Sequence, residues 1–136
     1  MNITHAIIHC SATIEGQDFD IEDIREWHLA KGWRDVGYHF VVKLDGTVQE
    51  GRPVGTWGAH TKKYNGPSNV GICYVGGLDR EGMPKDTRTE EQKAALLDLL
   101  DDLKGEFRGM KILGHRDTGA NKACPCFDAR DEYAEI

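Results

Sequence analysis

No hydrophobic run in this sequence is long enough to cross a membrane, and the N-terminus lacks a basic region followed by an extended apolar stretch. The sequence also lacks an excess of positive charge, because 17 Lys and Arg face 23 Asp and Glu, for a net charge of −6. Nucleic acids attract positively charged surfaces. We therefore predict neither a membrane nor a nucleic acid as a partner, and no secretion signal.

Internal repeats, low-complexity tracts and linkers are absent as well, and cysteines are few. The 136 residues suit one domain that buries a core without covalent staples. Four cysteines without an export signal predict reduced thiols rather than a disulfide scaffold. Cys124 and Cys126 are separated by one residue, and such neighbours rarely bond to each other because the small ring strains the bridge. Cys73, in the apolar run VGICYV, is predicted to be a buried thiol.

Short apolar runs alternate with helical patterns along the chain. Buried strands are predicted at residues 6–10 (AIIHC), 70–77 (VGICYVGG) and 111–114 (KILG). Residues 41–50 predict a β-hairpin in which Asp45-Gly46 forms a two-residue turn.

Capping patterns mark the helices. Asp20 predicts the start of one helix, and Thr89 with Gln92 forms a capping box at the start of a second, which should stop at Gly105. Asp128 predicts a short last helix. Together the elements predict an α/β fold: a single domain whose central mixed β-sheet is flanked by helices.

Two histidines are placed where an α/β sheet commonly carries a site. His9 closes the first predicted strand and His115 follows the KILG strand, so both lie at one rim of the sheet, and Cys124 is close enough in sequence to fold back to that rim. Two imidazoles and one thiolate form a three-ligand zinc set with an open fourth position for water. Spacing alone does not select these residues, because isolated histidines on strands are more often hydrogen-bonded structure.

Seven motifs add information that spacing does not contain. They are IIHCSAT (7–13), REWH (25–28), GW followed by DVGYHFVVKLDGTVQEGRP (32–53), GAHTKKYN (58–65), GICYVGG (71–77), GHRD (114–117) and KACPCFD (122–128). Together and in this order they resemble the zinc-dependent N-acetylmuramoyl-L-alanine amidases. The likeness is to the compact phage lysozymes of that type, relatives of the peptidoglycan recognition proteins, and it runs nearly end to end.

The resemblance implies roles for five residues. His9, His115 and Cys124 should hold one Zn²⁺ per chain, and Tyr38 and Lys122 match the catalytic pair of the family. The positive charge of Lys122 suits the tetrahedral intermediate of amide hydrolysis, and the Tyr38 hydroxyl can orient the water or the oxyanion. The general base stays open. Cys126 is expected to pack below the site without binding metal.

The irregular segment 52–69 is too long for an ordinary connection. Given the resemblance to the amidases, we expect this segment to line a groove for the sugar and peptide of the substrate, through Trp57, His60 and Asn65. The resemblance leads us to expect a Ser-Ile-Gly-like stretch before the GICYVGG strand, but the chain has Asn-Val-Gly at 69–71 and a slightly longer loop before it. These departures concern the shape of the groove.

The other histidines are assigned to structure. His5, His28 and His39 should be hydrogen-bonded parts of the fold, although His39 neighbours Tyr38 and can support a metal ligand.

The motifs thus predict that residues 1–136 form an amidase catalytic domain. It should be a monomer that cuts peptidoglycan or a muropeptide between N-acetylmuramic acid and L-alanine. Without a signal peptide we expect cytoplasmic synthesis, followed either by release to the cell wall, as in phages, or by intracellular recycling.

The same sequence is compatible with two other functions. A non-catalytic peptidoglycan-binding module of the same fold would be favoured by loss of the cysteine ligand, which is present as Cys124. A cysteine hydrolase using Cys10 beside His9 is disfavoured, because adjacent strand residues point to opposite faces.

Overall fold

Strands and helices alternate along the chain in the computed structural model, which describes residues 2–136. The strands are β1 (His5–Cys10), β2 (Thr13–Ile14), β3 (Phe40–Val42), β4 (Val48–Glu50), β5 (Asn69–Tyr74), β6 (Gly77–Leu78) and β7 (Lys111–Gly114). The α-helices are α1 (Ile21–Ala30), α2 (Glu90–Glu106) and α3 (Ala129–Glu132), and a 3-10 turn covers His115–Thr118. Among these helices, none has both the length and the apolar character to span a bilayer.

The central sheet is mixed, as predicted. Its strands follow the order β4-β3-β5-β1-β7, with β2 and β6 pairing separately. β1 is parallel to β5 on one side and to β7 on the other, whereas β4 is antiparallel to β3. Because β1, β5 and β7 run in the same direction, their carboxyl ends meet at one edge of the sheet, where His9 ends up beside the turn that begins with His115.

Helices cover both faces of the sheet, and alternate strand residues face each layer. The larger layer, with α2 and α3, buries Ile8, Ile72, Tyr74, Leu96 and Leu100. The smaller layer, with α1, buries Ile21, Ile24, Val41 and Cys73. Cys73 is fully buried and is not part of a disulfide, as predicted.

The predicted caps are present. Asp20 and Thr89 each cap a helix through a complete capping box, and Asp128 accepts a hydrogen bond from the Asp131 backbone N–H. Gln92 is fully buried, and its side-chain amide also donates to the Val75 carbonyl, which ties the start of α2 to the sheet.

Two local predictions are wrong. Gly105 does not stop α2, which runs through Glu106 and is closed by the Phe107 N–H donating to the Leu103 carbonyl. The hairpin turn is longer than two residues, because the Gly46 N–H bonds the Lys43 carbonyl and the Lys43 N–H bonds the Thr47 carbonyl. A two-residue type I′ turn needs positive φ at both central residues. Here only the glycine, at φ +88°, adopts it, as in a three-residue turn with a bulge.

A buried arginine holds the C-terminal helix in place. The Arg88 side chain is 2% exposed and pairs with the carboxylates of Asp86 and Glu132. It also donates to the Tyr133 hydroxyl, and its guanidinium carbon lies 3.4 Å from the ring centroid of Phe127. All five guanidinium N–H groups have acceptors.

His28 is structural, as predicted. The residue is 8% exposed, and its Nδ1 accepts a hydrogen bond from the Gly37 backbone N–H at 2.8 Å. Burial, followed by the charges of Lys31 and Arg52, lowers the pKa of His28 to about 4. The ring is therefore neutral in the folded protein at pH values where a free histidine is protonated.

This pKa predicts a stability loss in acid. The unfolded chain protonates His28 below about pH 6.5 while the fold keeps it neutral, so unfolding is favoured as pH falls from there. The asparagine oxygen of His28→Asn can replace the Nδ1 acceptor but does not titrate. As pH falls from 6.5 to the folded pKa of about 4, the free energy of unfolding should decrease in both proteins. We expect this decrease, measured by urea unfolding of the metal-free proteins, to be about 1–2 kcal/mol smaller in His28→Asn than in wild type. Parallel curves for the two proteins would contradict the assignment.

Candidate metal site and substrate cleft

His9, His115 and Cys124 meet at the carboxyl-end rim of the sheet, as predicted. One ligand atom from each lies within 4.8 Å of those of the other two. The Cys124 Sγ is 3.9 Å from His9 Nδ1, and the rings of His9 and His115 have centroids 4.6 Å apart. The topology explains this convergence of residues that are far apart in sequence, because β7 delivers His115 next to the end of β1.

The loop that carries Cys124 is anchored on both sides of the cysteine. The Cys10 backbone N–H donates to the Cys124 Sγ at 3.2 Å, and the Arg116 N–H donates to the Cys124 carbonyl. The buried Tyr74 hydroxyl donates to the Pro125 carbonyl at 2.6 Å. The sulfur is therefore held at the rim by the strand that carries His9.

The donor set fits zinc. Tetrahedral Zn²⁺ with its usual bond lengths separates its ligand atoms by about 3.3–3.6 Å, and here the ligand atoms all lie within 4.8 Å of one another. Burial comes first among the causes that lower the pKa of His9 and His115, and the charge of Lys122 lowers both further. Neutral imidazoles are the form that binds a metal. These three residues can thus hold a zinc ion without large movement.

Tyr38 and Lys122 both reach the cluster. The Tyr38 ring centroid is 5.2 Å from that of His9. Burial, followed by the nearby thiols of Cys73 and Cys124, raises the pKa of Tyr38 well above its usual value, so the hydroxyl stays a neutral donor. Lys122 is exposed and close enough to both metal-site histidines to lower their pKa values.

A cleft of about 770 Å³ opens beside the cluster. Its lining consists of Trp33, Ala59, His60, Thr61, Lys62, Lys63, Asn65, His115, Thr118, Gly119, Ala120 and Lys122. His60 and Asn65 are thus at the cleft, where the sequence placed them, but Trp57 is not among the lining residues. Trp57 is 61% exposed and its carbonyl accepts from Arg52, so it is neither a wall of the cleft nor part of the core.

His60 and Asn65 also shape the loop itself. The Asn65 Oδ1 accepts from the backbone N–H groups of His60 and Thr61, both at 2.8 Å. The His60 Nδ1 lies 3.0 Å from His9 Nε2. Burial, followed by the charges of His39 and His115, lowers the pKa of His60 to about 3. His60 therefore contacts a metal-site residue as well as the cleft.

Sequence reasoning missed Trp33, Thr61, Lys62 and Lys63 as cleft residues. The available signal was the pair of lysines inside the irregular loop of an acidic protein. A single loop residue such as Trp33 carries no such signal.

His39 is structural. Its Nδ1 accepts from the Gly71 N–H and its Nε2 donates to the Thr56 carbonyl, both at 3.0 Å, so both ring nitrogens are used by the backbone. His5 is likewise paired, with its Nδ1 at 2.9 Å from the Thr4 hydroxyl.

Cys10 and Cys126 pack against the larger core layer, whereas Cys73 lies in the smaller one. Cys10 packs with the larger core layer, opposite to His9, and its Sγ is 4.0 Å from that of Cys126. Burial and the neighbouring Cys10 raise the pKa of Cys126 to about 11, and its thiol donates to the Gly77 carbonyl. A Cys10–His9 nucleophile and base pair is therefore ruled out by geometry, and Cys126 packs below the site.

Fold and cluster define an α/β protein in which three residues that could hold a metal ion lie beside a cleft. The sequence profile of the family described as N-acetylmuramoyl-L-alanine amidase matches residues 1–127, and the chain belongs to this family.

Individual relatives agree with this assignment. The endolysin of Klebsiella phage KP32 is 46% identical over 123 residues, which cover 90% of this chain and 80% of the relative. The N-acetylmuramoyl-L-alanine amidase LysC from Clostridium intestinale URNW has a TM-score of 0.79 at 25% identity, over 96% of this chain and 81% of that one. A mutant of Drosophila PGRP-LB in complex with tracheal cytotoxin has a TM-score of 0.79 at 27% identity, over 98% and 81%. The resemblance read from the motifs is confirmed.

Proposed function

We propose that residues 1–136 form a zinc-dependent catalytic domain that hydrolyses the amide bond between N-acetylmuramic acid and the L-alanine of the stem peptide. The observation that carries the proposal is the convergence of His9, His115 and Cys124 beside the cleft of an amidase-family protein. We further propose that the protein acts as a monomer with one Zn²⁺, on the cell wall after release, as the name endolysin of its phage relatives suggests.

Residues at the cluster and at the cleft can serve different steps of amide hydrolysis. Zinc, when bound, would supply a Lewis acid and lower the pKa of a water molecule to about 7. Lys122 brings a positive charge to the side of the cleft that carries His115, where it can stabilise the oxyanion of the tetrahedral intermediate. Tyr38, kept neutral by burial, can donate a hydrogen bond to the same oxygen or orient the water.

The charge of the cleft supports an anionic substrate. Its lining includes Lys62, Lys63 and Lys122 but no Asp or Glu, although the whole chain has a net charge of −6. None of the ion pairs found among residues 2–136 involves these three lysines. Stem peptides carry free carboxylates, which such a wall would attract. The complex of PGRP-LB with tracheal cytotoxin also supports a muropeptide as ligand of this fold.

Removing the two loop lysines should weaken substrate binding. We expect Lys62→Ala/Lys63→Ala to raise KM for a soluble muropeptide about 2–30-fold with little change in kcat, because exposed charges each contribute about 0.2–1 kcal/mol. The effect should shrink at high salt. Steady-state kinetics at low and high ionic strength measure both. A kcat loss at unchanged KM would instead assign the lysines to the chemical step.

The proposed reaction is tested by combining metal measurement with product analysis. Chelator treatment should abolish digestion of purified peptidoglycan, and Zn²⁺ should restore it. Mass spectrometry of the products should show free L-alanine amino termini and intact glycan strands. Full activity in metal-free protein would overturn the zinc mechanism, a different cleaved bond would overturn the specificity, and tight binding without turnover would favour a recognition module.

A further inference from the structure

The two ring nitrogens of His9 have different surroundings. Nδ1 faces the Cys124 Sγ at 3.9 Å. Nε2 faces away from the sulfur, with the His60 Nδ1 at 3.0 Å and the Thr61 Oγ1 at 3.1 Å. The latter two atoms are 2.8 Å from each other, so three polar atoms form a closed contact behind the metal-site face of the ring.

Hydrogen placement in this contact follows from the role of His9. If Nδ1 binds the metal, Nε2 carries the hydrogen and needs an acceptor. The assignment that leaves the fewest groups unpaired has His9 Nε2–H donating to Thr61 Oγ1, whose hydroxyl donates to His60 Nδ1. With the hydrogen on His9 Nε2, any other assignment leaves the hydroxyl hydrogen of Thr61, a residue 3% exposed, without an acceptor among residues 2–136. The His60 Nε2 has no partner in any of them.

The surroundings hold the His60 ring in this position. A Cβ atom at Gly58 or at Gly71 would lie 2.5 Å from a carbon of that ring, so both positions must lack a side chain for the ring to fit. The Asn65 Oδ1 binds the backbone N–H groups of His60 and Thr61, which fixes the orientation of the two residues. The packing therefore fixes the ring where its Nδ1 contacts His9 and Thr61, while its Nε2 stays unpaired.

We propose that Thr61 and His60 are positioning residues that hold His9 as a metal ligand through Nδ1, by a relay from His9 Nε2–H to the Thr61 hydroxyl and on to His60 Nδ1. The inference rests on the proposed zinc function. It gives His60 a role other than the substrate contact expected from sequence. Ligand histidines are commonly oriented in this way by a carboxylate or a carbonyl, and here a hydroxyl and a neutral imidazole take that place.

Zinc affinity tests the relay without relying on activity. In competition with a chromophoric chelator, Thr61→Val/His60→Leu should bind Zn²⁺ about 10–100-fold more weakly than wild type, whereas Thr61→Ser, which keeps the hydroxyl, should stay within about threefold. Circular dichroism of the loaded proteins checks the fold. A folded double variant with wild-type affinity overturns the proposal.

A second measurement decides the matter if the double variant does not fold. Nitrogen-15 NMR of the imidazoles in zinc-loaded wild type should show the His9 hydrogen on Nε2 and the His60 hydrogen also on Nε2. A His9 hydrogen on Nδ1 overturns the proposal. If wild type binds no zinc, the proposed function fails as well, whereas a zinc-dependent amidase whose variants keep their affinity contradicts the relay alone.

Discussion

Cys124→Ser should lose zinc and amidase turnover together. The serine hydroxyl stays protonated near neutral pH and is a poor replacement for a thiolate ligand. Substituting a residue that only hydrogen-bonds a metal ligand lowers metal affinity about 10–100-fold. Loss of the ligand itself should therefore lower the affinity more than about 100-fold. Metal content after dialysis, measured by mass spectrometry, and release of soluble fragments from labelled peptidoglycan provide the two readouts.

Cys126→Ser is the matched control, because it makes the same change two residues away. The Cys126 Sγ lies 4.0 Å from the Cys10 Sγ and donates to the Gly77 carbonyl, and Cys126 is not among the three residues that could hold the metal. We expect this variant to keep its zinc and its activity. Similar behaviour of the two variants would mean that the division between the two thiols is wrong.

Lys122→Ala should keep the fold and the zinc but lose most of its turnover. The Lys122 side chain is exposed, so its removal leaves no cavity, and its charge lies close enough to His9 and His115 to lower their pKa values. Removing one group that stabilises an oxyanion costs about 10²–10³ in kcat, and we expect a loss of that size with a smaller change in KM.

Lys93→Ala controls for the loss of one positive charge, because Lys93 lies on α2 and pairs at the surface with Glu90. It should leave kcat and KM unchanged. Zinc loss in Lys122→Ala would assign the lysine to metal retention, and an unaffected rate would remove it from the catalytic set.

The strands and long helices follow from local sequence, because their signals are local. Apolar runs of four to six residues gave β1, β5 and β7, and the side chains of Asp20 and Thr89 fix helix starts through bonds to residues three positions on. The metal-binding cluster needed more than spacing. Family motifs supplied the three residues, and their convergence then depends on parallel pairing between strands more than 60 residues apart, such as β1 and β5.

The cleft could not be predicted to the same depth, because its walls depend on contacts that no periodic pattern encodes. Trp33 and Trp57 both lie in irregular segments, yet only Trp33 faces the cleft. The path of the second segment is set by Arg52, which donates to the carbonyls of Val36 and Trp57. Likewise, nothing near His60 in sequence indicates that its ring would pack against His9.

Because the Arg88 guanidinium holds α3 in place, it limits where the chain can be truncated or fused to another domain. The family match ends at residue 127, so a boundary drawn there discards Glu132 and Tyr133 and leaves three of the five Arg88 N–H groups without acceptors. Leaving a buried donor without its acceptor costs about 1–3 kcal/mol, a large share of the about 5–15 kcal/mol that stabilises a typical domain. A cell-wall-targeting module should therefore be joined beyond Ile136, and chimeras cut at the end of the family match should melt early.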